Sequence, residues 1–190
     1  MTYGIETAPQ TLLLDVFIIP SFHKLYTEKA FEKMKIPSTP PLRIFKGNHV
    51  DFTIYQYKYQ EKGGTEVASR ELGINEHIII KTLVMEDEQK TPFIILMHGD
   101  KQVSTKEMAR FLGVKSVNPC DAKVAQKHTG YVVGGTSPFG TKKTLPIYIE
   151  KSIFDLPNIL INAGKRGLLV ETNPGDLTKI LKPIAVSVAR

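Results

Sequence analysis

Two apolar runs, His77 to Met85 and Thr91 to Met97, are separated only by Glu86-Asp87-Glu88-Gln89-Lys90. Runs of this length bounded by turn residues read as strands rather than helices. The short acidic link predicts an antiparallel hairpin with a solvated turn, and the rest of the fold must accommodate it. Asp51 to Tyr59 alternates, with Phe52, Ile54, Gln56 and Lys58 on one side and Thr53, Tyr55, Tyr57 and Tyr59 on the other. That is the pattern of a half-buried strand. Further strands are predicted at Leu145–Ile149, Ile159–Asn162, Leu168–Thr172 and Ile184–Val188. Helices are predicted from Pro40 to Gly47, from Gly63-Gly64-Thr65 through Leu72, over Lys106–Leu112, from Asn118-Pro119 through Ala125, and over Asp176–Leu181. Locally paired strands interrupted irregularly by helices predict an α+β fold with a mixed sheet.

Three prolines within Ile36-Pro37-Ser38-Thr39-Pro40-Pro41 stop any regular element. They divide the chain into an N-terminal extension, residues 1–37, and a domain over 38–190. Tyr26 to Lys35 reads as a short helix in the extension. Thr11 to Pro20 is apolar but too short to span a bilayer, and it carries Asp15. Glu6 stands where a secretory signal would be basic, so a cytoplasmic protein is expected, with no membrane partner. At 190 residues, with 42% hydrophobic and 23% charged residues, the chain is long and apolar enough to fold around one core.

Charge is unevenly placed. The net +6 of the whole chain is matched by residues 101–143 alone, with eight basic residues (Lys101, Lys106, Arg110, Lys115, Lys123, Lys127, Lys142, Lys143) against Glu107 and Asp121. A clustered positive field attracts phosphates, although an ordinary solvated surface would look the same.

Several chemistries are absent. Cys120 is the sole cysteine, so no disulfide framework or thiolate cage can form. Its place after Pro119, at a predicted helix start, suits either a lowered thiol pKa or a small buried hydrophobe. The five histidines show no His-x-x-x-His spacing, and no metal site or cofactor is expected. There is no G-x-G-x-x-G and no G-x-S-x-G, and Gly135–Gly140 is followed by Thr141-Lys142, the wrong order for a P-loop. Two features remain. Lys81 lies inside Ile78-Ile79-Ile80-Lys81-Thr82-Leu83-Val84-Met85, where an ammonium is costly unless it reaches water, a carboxylate or a ligand. It is either an edge-strand lysine that blocks aggregation or a charge at the mouth of a pocket. The second feature is Gly134-Gly135-Thr136-Ser137-Pro138-Phe139-Gly140, followed by Lys142 and Lys143. It is either a tight structural turn or a loop whose N–H groups bind an oxyanion or phosphate. Asn162-Ala163-Gly164-Lys165-Arg166-Gly167 is a third, basic glycine turn.

Ile80-Lys81-Thr82-Leu83, Gly99-Asp100, Thr129-Gly130-Tyr131 with Gly134-Gly135-x-Ser137-Pro138-x-Gly140, and Gly164-Lys165-Arg166-Gly167 occur in an order that resembles the YbaK/EbsC family. This is the family of prolyl-tRNA editing domains and free-standing aminoacyl-tRNA deacylases. The resemblance covers residues 38–190. It implies a mixed, largely antiparallel sheet curled into a barrel with helices outside. It also implies that Lys81 is the essential lysine beside the pocket, that Gly134 to Pro138 is the G-x-x-x-P loop facing the acyl ester, and that Tyr57 is a pocket tyrosine. Asn162-Ala163-Gly164 replaces the Ser-Gly-Gly of cysteine-specific members, and Leu169 replaces an aspartate.

The implied activity is trans-editing deacylation of a tRNA, tRNAPro above all, mischarged with cysteine, alanine or another small residue. Gly134 and Gly135 N–H groups would stabilise the oxyanion, and Lys81 would hold a phosphate or the developing charge. Ser137, Pro138, Tyr57, Asn162 and Gly164 would line the substrate site. Lys142, Lys143, Lys165 and Arg166 would contact tRNA, and a prolyl-tRNA synthetase is a candidate partner. The alternative is a non-catalytic module that binds charged tRNA or another acyl-adenosine.

Overall fold

The computed structural model describes residues 37–190. The predicted helix Tyr26–Lys35, the apolar stretch Thr11–Pro20 and the rest of the N-terminal extension up to Ile36 lie outside the described residues. In chain order the elements are α1 (Pro40–Gly47), β1 (Thr53–Gln56), α2 (Gly64–Leu72), a 3-10 turn (Glu76–Ile78), β2 (Ile79–Asp87), β3 (Pro92–His98), α3 (Thr105–Leu112), β4 (Val117–Pro119) and α4 (Ala122–Thr129). They continue with β5 (Ile147–Glu150), a second 3-10 turn (Lys151–Asp155), β6 (Ile159–Lys165), β7 (Leu168–Thr172), α5 (Pro174–Leu181) and β8 (Ile184–Val186).

The expected hairpin is β2–β3, paired antiparallel from Ile80 opposite His98 to Glu86 opposite Pro92. It occupies the middle of one mixed sheet ordered β1-β7-β6-β2-β3-β5-β8, with β4 added to β2. The β1/β7, β6/β7 and β2/β4 pairs are antiparallel; β2/β6, β3/β5 and β5/β8 are parallel. β1 and β8 stand at opposite ends of the order, and among the described residues no ladder joins them, so the expected closed barrel is not seen. Because successive strand residues face opposite ways, the apolar hairpin serves two layers. One face carries Ile80, Ile94, Leu96, Ile149, Ile161 and Val170 under Phe45 of α1 and Phe139. The other carries two separate clusters. Met85, Phe93, Ile95 and Met97 pack beneath α3 through Met108, and Ile79, Leu160 and Leu169 pack beneath Ala68 of α2. Lys81 lies on this second face, between the clusters.

Three expectations are corrected. The strand predicted over Asp51–Tyr59 is confined to Thr53–Gln56, because β7, its partner, begins at Leu168 opposite Gln56. Asn118-Pro119 does not start a helix. Pro119 ends β4, an edge strand, where its missing N–H costs nothing, and it pairs with Met85. α4 starts later, where Asp121 accepts the Lys123 N–H at 2.8 Å, and it runs on to Gly130 in the left-handed region. Finally, the acidic link is only partly solvated. Glu86 is buried in β2, bridged to Lys90 at 2.6 Å, and receives the Cys120 thiol at 3.5 Å. Burial and this carboxylate push the thiol up to about 12. Cys120 is therefore a protonated packing group, not an activated thiolate.

Candidate active site

β2 and β6 are joined by only two rows, Ile79–Leu160 and Ile80–Ile161. One row further on, where the ladder ends, stand Lys81 and Asn162. Alternation puts both on the face of Ile79 and Leu160, with Met97 beyond Lys81 and Leu169 beyond Asn162. β2 is thus flanked on both sides at Ile79 and Ile80, whereas Lys81 keeps a strand neighbour only on the β3 side. Its ammonium donates to the carbonyls of Gly99 (2.8 Å) and Lys101. Burial lowers its pKa, while the carboxylates of Glu76 and Asp100 push it back up.

The Gly99–Lys101 turn that receives Lys81 is itself held. A Cβ on Gly99 would run into the Glu76 carbonyl and side chain, so only glycine lets the turn approach the Glu76–Ile78 segment. Thr65 at the start of α2 donates to Glu76 at 2.7 Å and lies 3.3 Å from the Gly99 carbonyl. His77 Nδ1 donates to both oxygens of Asp100 at 2.9 and 3.0 Å. Partial burial would raise the Asp100 pKa, but the His77 hydrogen bonds and charge hold it below its usual value. The His77 ring stacks on His98 at 3.9 Å. His98 is buried. Its Nδ1 donates to the His77 carbonyl at 2.8 Å, which leaves Nε2 to accept from Ser152 at 2.9 Å. Burial lowers its pKa and keeps the ring neutral.

Asn162 links this row to the glycine loop. Its amide donates to the carbonyls of Gly134 (3.2 Å) and Lys165 (3.3 Å), and its Oδ1 accepts the Gly164 N–H at 2.7 Å across the β6 bulge. Gly134 is exposed, with φ +84°, and a Cβ there would lie 2.7 Å from the Tyr59 hydroxyl. Both facts require glycine. Arg166 donates from Nε to the Val133 carbonyl at 2.8 Å and lies 4.9 Å over the Tyr59 ring. Under the loop, Tyr131 donates to the Phe139 carbonyl at 2.6 Å, and Pro40 and Pro41 of α1 abut Gly140 and Gly164.

The structure therefore brings Gly134, Gly135, Asn162, Gly164, Lys165 and Arg166 into one cluster, with Lys81 beside it. The expected roles of Gly135, Ser137, Pro138 and Tyr57 change. The Gly135 N–H donates to the Val132 carbonyl at 2.9 Å, so it is a turn bond and not a free oxyanion donor. Among the described residues the N–H groups of Gly134 and Thr136 have no partner. Ser137 is fully buried, its Oγ turned to the Phe139 N–H, and Pro138 is buried beside it. Tyr57 packs into the cluster under α2, and it is Tyr59 that covers Gly134. Tyr59 was missed because alternation places both tyrosines on one side of a single strand. The chain leaves the sheet after Gln56, before both tyrosines, so alternation along the strand fixes the side of neither. Thr65, Glu76, His77 and His98 were also missed, and only the Gly99-Asp100 pair hinted at them. Lys142 and Lys143 lie against the end of α4, their N–H groups donating to the Thr129 and His128 carbonyls at 3.0 and 2.9 Å. Among the described residues no cluster of metal-ligating side chains is present, and no helix is long and apolar enough to cross a membrane.

Residues 61–180 match a family profile described as "Aminoacyl-tRNA editing domain". Over 137 residues the chain is 31% identical to the Enterococcus faecalis protein named "Putative Cys-tRNA(Pro)/Cys-tRNA(Cys) deacylase EbsC", covering 72% of this chain and 84% of that one. It is 28% identical over 123 residues to a "Proline--tRNA ligase" of Thermodesulfovibrio yellowstonii, covering 64% of this chain but only 20% of the ligase. A solved structure described as a "putative trans-editing enzyme for prolyl tRNA synthetase" superposes with a TM-score of 0.68 at 18% identity, covering 81% of this chain and 99% of that one.

Proposed function

Because the chain belongs to the aminoacyl-tRNA editing domain family, we propose that it is a free-standing deacylase that cleaves a mischarged amino acid from tRNA. The observation that carries this reading is the side chain of Asn162. It stands in the row next to Lys81 and ties that row to the glycine loop, where the N–H groups of Gly134 and Thr136 have no partner among the described residues. An ester bond needs little activation, so the main demand is stabilisation of the tetrahedral oxyanion. The N–H groups of Gly134 and Thr136 meet it, at about 3 kcal/mol per donor. With two N–H bonds of Lys81 committed to carbonyls, the third is free to point at the substrate's phosphate or the developing charge. The attacking group is water, or the thiol of a cysteinyl ester. Asn162 and Gly164 border the acyl group, Ser137 and Pro138 shape the loop from beneath, and Tyr59 closes the site over Gly134.

The relatives' names support a tRNAPro carrying cysteine or a similarly small residue as the substrate, with a prolyl-tRNA synthetase as candidate partner and the cytoplasm as the expected location. A deacylation panel with tRNAPro charged with cysteine, alanine, serine and proline tests the reading. Release of at least one non-cognate residue, with prolyl-tRNA spared, is expected. Binding of all four without release would make the protein a capture module instead.

A further inference from the structure

Seven of the eight basic residues between 101 and 143 fall into two groups in space, and Lys101 stands apart in the turn that receives Lys81. Lys106, Arg110 and Lys115 line the groove between α3 and β4, and acids sit among them. Arg110 is paired with Glu107 at 2.5 Å, and Glu88 accepts the N–H groups of Lys115 and Ser116 at 3.1 and 3.3 Å. The second group belongs to α4. Lys123 and Lys127 are one turn apart and share a face. Lys142 and Lys143 are fastened by their N–H groups to the last carbonyls of that helix. Lys143 and Lys127 both act on the ring of His128, lowering its pKa further after burial has done so, with Glu86 opposing. None of the four lysines makes an ion pair among the described residues, and the nearby Asp121 is spent capping the helix.

We infer that the α4 face formed by Lys123, Lys127, Lys142 and Lys143 is the track on which the single-stranded 3′ end of the tRNA lies. The inference rests on the deacylase reading for its substrate. It adds Lys123 and Lys127 to the RNA-binding set. Geometry supports it. α4 ends at Gly130, and the chain runs directly into the loop that holds Gly134. From Gly130 back to Lys123 the helix rises about 10 Å at 1.5 Å per residue. That is the length of about three stacked nucleotides at 3.4 Å each, the stretch that adjoins an acylated terminal adenosine.

Binding of uncharged tRNA by the full chain, measured from 50 to 300 mM salt, tests the track. Lys123→Gln with Lys127→Gln should lower the slope of log K against log salt by about 1.4, at ~0.7 per phosphate on a single strand. Lys106→Gln with Lys115→Gln should lower it by less than half as much. Phosphate contact should also raise the His128 pKa, read by NMR, because the anion offsets Lys127 and Lys143. An unchanged slope in the α4 pair, an equal loss in the α3 pair, or a His128 pKa unmoved by saturating tRNA would each overturn the track. Failure to deacylate any charged tRNA, with these binding effects intact, would sink the deacylase reading and leave the track standing.

Discussion

Lys81 is a cation whose immediate partners are carbonyl dipoles, not carboxylates. Its depressed pKa means that, between the folded value and 10.5, the unfolded chain holds a proton the native state has released, so stability rises with pH across that window. At neutral pH the charged lysine therefore costs stability. Of the two carbonyls it serves, that of Gly99 lies 3.3 Å from the Thr65 hydroxyl, which can turn to it from Glu76, and Lys101 is exposed to water. Lys81→Ala should lower single-turnover deacylation at least about tenfold, roughly 1.4 kcal/mol of barrier, with the melting temperature unchanged or slightly higher. Lys81→Arg should not restore the rate, because a guanidinium spreads its donors in a plane. A wild-type rate with a melt several degrees lower would make Lys81 purely structural. Gly134→Ala carries a separate expectation. The left-handed φ alone costs about 1–2 kcal/mol, and the new Cβ meets Tyr59. Activity should fall below detection, and removing the ring with Tyr59→Ala should recover only the steric part.

Among the elements, the join between β3, the two 3-10 turns and the chain's end is pH-sensitive. His98 links the His77 carbonyl to Ser152, and Glu150 beyond it accepts the N–H groups of Val188 and Ala189, each at 2.8 Å. Because the folded His98 pKa lies below 6.5, the unfolded chain takes up a proton first as pH falls. Stability is therefore full above about 6.5 and is lost progressively below it. Thermal melts at pH 7.5 and 5 should show that loss in the wild type and a smaller one in His98→Gln; equal losses in both would place the titration elsewhere. Asn162 offers a second test at this scale. It is half-buried and bonds mostly to backbone, so Asn162→Ala should change the melt by only a few degrees. It should nevertheless lower kcat by loosening Gly134 from the β6 bulge, whereas a change confined to KM would assign Asn162 to substrate binding alone.

For the whole molecule, the proposed chemistry needs no metal, and deacylation should survive EDTA; loss that zinc reverses would contradict it. The match to the family begins at residue 61, and Ser38–Arg190 forms one compact unit. A chain starting at Met34 is accordingly expected to fold and to turn over a short acylated oligonucleotide at the full-length rate. The sequence alone determined most of the elements, because their signals are local: the apolar hairpin of β2 and β3, the Pro40-Pro41 start of α1, the Gly73 and Gly113 helix stops. It also exposed Lys81 and the Gly134 loop, since a charge in an apolar run and paired glycines are visible without a fold. Tertiary structure alone decided what those residues touch. Where β1 ends depends on where β7 begins, and which tyrosine covers Gly134 depends on where the chain leaves the sheet. Whether a loop N–H is free depends on turn bonds such as Gly135 to Val132. The side-chain partners lie further off, Lys81 and Gly99 by 18 positions and Asn162 and Gly134 by 28, and no periodicity in the chain encodes a contact closed only when the sheet is assembled.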